Sequence, residues 1–190
     1  MKTLLVASVA VSFTFTFAGH SQSTVQFANT PATAITTNNL QGATGLMSGA
    51  GAYRIGLYAG PFGAGEGSLL LVATAANGAT PGLFNGGNVA VPFPGGGMVS
   101  FQVRAWSAFG GSSYEEALSY AQGGGVPLAH LGKSDLGFFT VGGGPIIIFG
   151  NGLGQVGGFE LRPVPEPSVW ALMICGVLAY GVFSRRLRPC

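Results

Sequence analysis

The clearest alternation of apolar and polar positions runs from Val99 to Trp106. Val99, Phe101, Val103 and Ala105 fall on one side of an extended chain, and Ser100, Gln102, Arg104 and Trp106 on the other. A weaker alternation covers residues 53–58, and short strand-like runs occupy 24–28, 69–74, 88–91, 137–141, 146–149 and 158–161. Clusters of Gly, Pro and Asn separate these runs, for example Gly60-Pro61 and residues 94–97. One stretch, 113–122, has a helical pattern, with Ser113 placed to cap it and Glu115 and Glu116 in its first turn. No period of 20–50 residues repeats. The pattern predicts an all-β domain over 24–163, an antiparallel β-sandwich of jelly-roll-like type with one short helix.

Two longer apolar runs flank this region. At the amino terminus, Lys2 precedes an apolar stretch from Leu4 to Ala18, and small residues follow at Ala18, Gly19, Ser21 and Ser23. That order predicts a cleaved secretory signal helix over 1–23, handled by the Sec translocon and signal peptidase. With no cysteine nearby, a lipoprotein is disfavoured. At the carboxy terminus the segment 164–190 contains Pro165-Glu166-Pro167, an apolar span over 168–184, and a basic tail over 185–190. The two prolines enforce an extended backbone ahead of the span, because proline disfavours helix at the residue before it. The uncharged core of the span, 169–183, is about 22 Å long as a helix. Trp170 and snorkelling arginines extend its reach toward the thickness of a bilayer, so a transmembrane helix is expected. Arg185, Arg186 and Arg188 act as the cytoplasmic stop, which leaves 24–163 on the far side of the membrane. The amino-terminal signal demands the same side.

In this order, Pro165-Glu166-Pro167, a short apolar span and an arginine cluster, the tail resembles the PEP-CTERM sorting domain of Gram-negative bacteria. The resemblance implies an exosortase as partner, with Pro165, Glu166 and Pro167 as the sorting motif. It also implies a cell-surface or extracellular-matrix destination, with processing of the tail. The tail departs from the pattern in ending Pro189-Cys190 after only three arginines. The stretches 101–106, 111–117 and 132–134 are similar to a pattern in uncharacterised PEP-CTERM sandwich proteins, which brings no ligand with it.

Composition narrows the function. Only 7% of residues are charged and 34 of the 190 are glycine, which suits strands and turns better than helices. The region 24–163 sets four basic residues (Arg54, Arg104, Lys133, Arg162) against five acidic ones (Glu66, Glu115, Glu116, Asp135, Glu160). A net charge of −1 offers no footprint for nucleic acid. Cys175 and Cys190 both lie in the tail, so the exported domain has no disulfide, cysteine metal site or thiol nucleophile. His130 is its only histidine and reads as a structural or surface residue; no metal and no cofactor are expected.

Three patterns look like chemistry and are set aside. His130, Ser134 and Asp135 crowd a catalytic trio into six residues, whereas a triad converges from separate elements. Glu115 and Glu116 point about 100° apart on a helix and so do not face each other as an acid–base pair. The run 152–157 matches a dinucleotide-binding glycine pattern, but the sequence after it is not helical. Aromatics remain. Trp106 and Tyr114 are candidate carbohydrate contacts if they form an open stacking face; otherwise Trp106 packs beneath a second sheet. The leading expectation is a non-enzymatic structural or interaction protein of the cell surface. The alternatives are an exopolysaccharide-binding module and a plain carboxy-terminally anchored envelope protein.

Overall fold

The computed structural model describes residues 23–39, 44–93, 95–124, 127–142 and 144–164, together with 173, 175 and 177. In chain order the strands are β1 (Thr24–Ala28), β2 (Thr36–Asn38), β3 (Thr44–Leu46), β4 (Tyr53–Pro61), β5 (Leu70–Ala76), β6 (Asn85–Ala90) and β7 (Met98–Ser107). Helix α1 (Tyr114–Gln122) follows, and then β8 (His130–Lys133), β9 (Gly137–Thr140), β10 (Ile146–Ile147) and β11 (Glu160–Pro163). Residues 173, 175 and 177 are also helical. The fold is β-rich, with one short helix, as the alternation predicts.

The strands form a three-stranded sheet, β10-β1-β6, and an eight-stranded sheet ordered β3-β2-β11-β8-β7-β4-β5, in which β9 also pairs with β7. The expectation of a purely antiparallel arrangement is corrected. β1 pairs parallel with β10, and β2 pairs parallel with β11, so both sheets are mixed. More than a hundred residues separate the partners in each parallel pair, ample chain for the crossovers that parallel pairing needs. The centre is antiparallel: β4 and β7 run in unbroken register from Tyr53 opposite Ser107 to Pro61 opposite Val99. Gly60-Pro61, read from sequence as a turn, ends this strand instead.

Val99, Phe101, Val103 and Ala105 are buried as their alternation requires. They join Ile55, Leu57 and Ala59 of β4 and Val25 and Phe27 of β1 in one apolar cluster that draws on both sheets. The opposite face of β7 is buried too, which the sequence does not announce. There Trp106 packs with Tyr58, Leu69 and Leu131 and with Ala117 and Ala121 of α1. The alanines leave room for the helix to lie close over the sheet. Gly56 has the same effect from below, since a Cβ there would sit within about 3.0 Å of the Trp106, Leu71 and Tyr58 side chains.

Among the described residues no helix is long and apolar enough to cross a membrane. Residues 1–22 of the expected signal, the motif Pro165-Glu166-Pro167, most of the span 168–184 and Arg185, Arg186 and Arg188 lie outside the described residues.

Candidate functional site

The helix forms where its caps are strongest. The Ser113 hydroxyl accepts the Glu116 N–H at 3.2 Å. The Glu116 carboxylate in turn accepts the Ser112 N–H at 2.7 Å and the Ser112 hydroxyl at 2.9 Å. These bonds hold the Glu116 carboxyl below the usual carboxylate range. Gly111 makes the approach possible with φ +137°, and its carbonyl accepts the Trp106 indole N–H at 3.0 Å. The indole is thus sealed between helix and sheet, with no exposed surface. Trp106 has no open face for stacking. The idea of it as a sugar platform is corrected, and so is the alternative that a second sheet covers it: α1 does.

Beside Trp106 lies the densest polar cluster of the described residues, centred on Arg104. Its Nε donates to Gln102 Oε1 at 2.8 Å, Nη1 to Glu115 Oε1 at 2.6 Å, and Nη2 to the Glu66 carbonyl at 2.5 Å. The guanidinium also sits 4.2 Å over the Tyr58 ring and 5.6 Å from the Tyr114 ring. The Tyr58 hydroxyl donates to Glu115 Oε2 at 2.7 Å and accepts the Tyr114 N–H at 3.0 Å. Burial, and then the hydrogen bond to the Glu115 carboxylate, push the Tyr58 phenol well above its ordinary value. Burial raises Tyr114 as well. At the rim Glu66 pairs with Lys133 and accepts the Gln102 amide at 3.0 Å. The Lys133 hydrogen bond is the main reason its carboxyl lies below the usual range.

The sequence places these residues on five separate elements (β4, the turn at Glu66, β7, α1 and β8), so periodicity could not bring them together. The one available signal was the charged and amide residues Gln102 and Arg104 in a strand as apolar as β7. The groups at the centre of the cluster are committed to neighbours. Arg104 is met on all three nitrogens, and the Tyr58 hydroxyl both donates and accepts. The arrangement works as a clasp that pins α1 and the turn at Glu66 to the sheet.

The other sequence candidates are apart from it. Ser134 accepts the Val103 N–H at 3.0 Å and donates to the Asp135 carbonyl at 2.7 Å, so its hydroxyl serves the backbone. The His130 ring lies edge-on to Tyr53, 6.4 Å between centroids, and its backbone N–H bonds the Ser107 hydroxyl at 2.9 Å. The glycine run 152–157 is a turn, with Gly154 at φ +78°, and no helix follows it before β11. Tyr114 is half-buried against Arg104.

The clefts that open on the surface of the described residues include three larger than about 300 Å³. One of about 330 Å³ lies beside the 152–155 turn, lined by Phe138, Ile146 and Leu153. A second, of about 510 Å³, separates Leu70–Val72 from Pro92 and Phe93. The third, of about 500 Å³, lies at the end of β7 between Tyr53, Phe109, Leu128 and His130. With this geometry in hand, comparison with protein-family models, curated proteins and solved structures finds no match.

Proposed function

We propose that this chain is an exported, non-enzymatic structural or interaction protein of the cell surface or extracellular matrix. In this reading its carboxy-terminal segment is a PEP-type sorting signal, recognised and processed by an exosortase. The observation that carries it is the tail itself: Pro165-Glu166-Pro167, an apolar span, and then Arg185, Arg186 and Arg188. The amino-terminal apolar segment behind Lys2 supports the same topology. The two sheets, with one shared apolar cluster, are read as a mixed-strand variant of the sandwich architecture.

The non-enzymatic part of the proposal rests on how the polar groups are spent. Glu115, Glu66 and Arg104 hold the helix and the turn, and Ser134 holds the backbone. The carbohydrate-binding alternative needs an open aromatic face, and the burial of Trp106 weighs against it.

Mass spectrometry of protein recovered from cells and from the medium tests the proposal. The expected mature chain starts between Gly19 and Thr24 and lacks 169–190. Recovery from the surface fraction of a chain with its original carboxy terminus, in cells that carry the sorting enzyme, would overturn the processing. Replacing Arg185, Arg186 and Arg188 together is expected to release or misorient the protein, which protease accessibility in spheroplasts reads directly.

A further inference from the structure

The core face of β7 does not end at Ala105. Ser107 is the next residue on that side, and strand register sets Tyr53 of β4 opposite it. On the other flank comes His130 of β8, one step beyond Leu131 opposite Trp106, and the Ser107 hydroxyl accepts the His130 N–H at 2.9 Å. Tyr53, Ser107 and His130 therefore stand abreast on three neighbouring strands, at the end of the sheet where the cleft of about 500 Å³ opens. Phe109, half exposed, and Leu128 wall its mouth. We propose that this cleft binds a neutral hexopyranose unit, with Phe109 against the C–H face of the sugar ring and the Tyr53, Ser107 and His130 row toward its hydroxyls.

Ligand pockets of this kind, roughly 300–1,000 Å³ in volume, are mostly apolar and aromatic, with a few polar groups that fix orientation. Here the backbone N–H groups of Tyr53 and His130 are taken by Asn77 Oδ1 and Ser107 Oγ. The phenol hydroxyl and the imidazole are left for a ligand. Burial raises the Tyr53 phenol above its ordinary value, so it is a neutral donor at physiological pH. Ser107 is buried, and its Oγ, which accepts from His130, has its own proton to donate. A sugar answers that set. Its C–H face suits the negative face of an aromatic ring, and its hydroxyls both donate and accept. Among the described residues lining the cleft there is no carboxylate, Lys or Arg, which favours a neutral ring over a charged one. A peptide strand fits less well, because β4, β7 and β8 are each paired on both sides and offer no free edge. The other two clefts described above lack the combination. In one, Gln155 is spent on the Gly152 N–H and the Ile147 carbonyl; in the other, no polar side chain lines the wall.

The cleft names a partner for the interaction protein proposed above and rests on that reading only for where the sugar is met; no residue of the tail takes part. The test uses the purified full chain in a detergent without a sugar headgroup. Saturation-transfer NMR and titration calorimetry are run with short glucan, mannan and galactan oligosaccharides, a hexuronate oligosaccharide and a proline-rich peptide. A neutral oligosaccharide is expected to bind, with its C–H protons saturated from the aromatic rings. Phe109→Ala should weaken binding roughly tenfold and Tyr53→Phe roughly fivefold, the scale of one aromatic contact and one hydrogen bond. Both variants should melt near the wild-type temperature. Leu70→Ala, in a different cleft, should leave the affinity unchanged. Binding of the free monosaccharide as tight as that of its oligomers would assign a small sugar, and a gain with chain length a polysaccharide. The proposal is overturned by a normally melting chain that takes none of the neutral sugars, or by preference for the uronate or the peptide. It is overturned equally by an affinity that Phe109→Ala and Tyr53→Phe leave intact. Processing of the tail is read on the chain termini by mass spectrometry, so failure of the cleft and failure of the sorting reading are told apart.

Discussion

The two faces of β7 are equally buried and differently built. The inner face, Val99 to Ala105, is apolar and meets other apolar side chains from both sheets. The outer face carries Gln102, Arg104 and Trp106, and its burial depends on α1 and on the turn at Glu66 closing over it. The inner face needs only side chains of suitable size. The outer face needs partners for every polar group, because a buried donor or acceptor without one costs about 1–3 kcal/mol. A face of the second kind fixes a particular arrangement of elements. One of the first kind tolerates exchange among apolar residues.

The largest expected effects test whether both faces are core. Phe101→Ala and Trp106→Ala should each lower stability by about 3–5 kcal/mol, read by denaturant titration. A Trp106→Ala protein with an unchanged midpoint would mean that the indole is not enclosed, and would restore the sugar-platform reading. Next comes the clasp. Arg104→Ala leaves Gln102, Glu115 and the Glu66 carbonyl each short of a donor, and a loss of about 2–3 kcal/mol is expected. Arg104→Lys should recover only part of that, because an ammonium cannot reproduce the planar three-way fork. Full rescue by Lys would reduce the clasp to a simple charge effect.

Smaller effects follow from protonation. Tyr58→Phe should cost about 1 kcal/mol near neutral pH. The phenol is raised in the folded state, so its contribution is complete below the ordinary tyrosine value of about 10 and falls as pH rises toward the folded value. The wild-type melting temperature should therefore decline above pH 10, and Tyr58→Phe should flatten that decline. Glu66 behaves in the opposite sense. Its carboxyl is lowered in the folded state, so the contribution is present above the ordinary glutamate range and is lost as pH falls through the folded value. Its carboxylate is well exposed, so the effect is the smallest of the set. Glu66→Gln should reduce the acid-side fall in melting temperature only slightly, and a large change would move the centre of the clasp from Arg104 to the rim.

Local periodicity made much of the β-rich body legible. The inner stripe of β7, strand β1 and helix α1 with its Ser113 cap could be read directly, since each depends on neighbours in sequence. Strands β2 and β3 were missed: three residues each, without apolar alternation, they exist only through pairing with β11 and with each other. The candidate polar site was illegible for a related reason. Glu66, Gln102, Arg104, Glu115 and Lys133 look like scattered surface residues until four elements converge. Glu115 and Glu116, read alike as helix-start charges, turn out to differ. Glu116 serves the cap, and Glu115 reaches across to Arg104 and Tyr58.

By itself, then, the sequence determined what rests on spacing and composition: strands where polar and apolar residues alternate, turns where Gly and Pro gather, and a domain with neither thiol nor basic patch. Tertiary structure alone decided the parallel pairings, the sealing of Trp106 beneath α1, and the joining of distant charges into a clasp. The reason is physical. Periodicity reports which side of a strand a residue occupies, but burial on that side depends on which distant element comes to cover it.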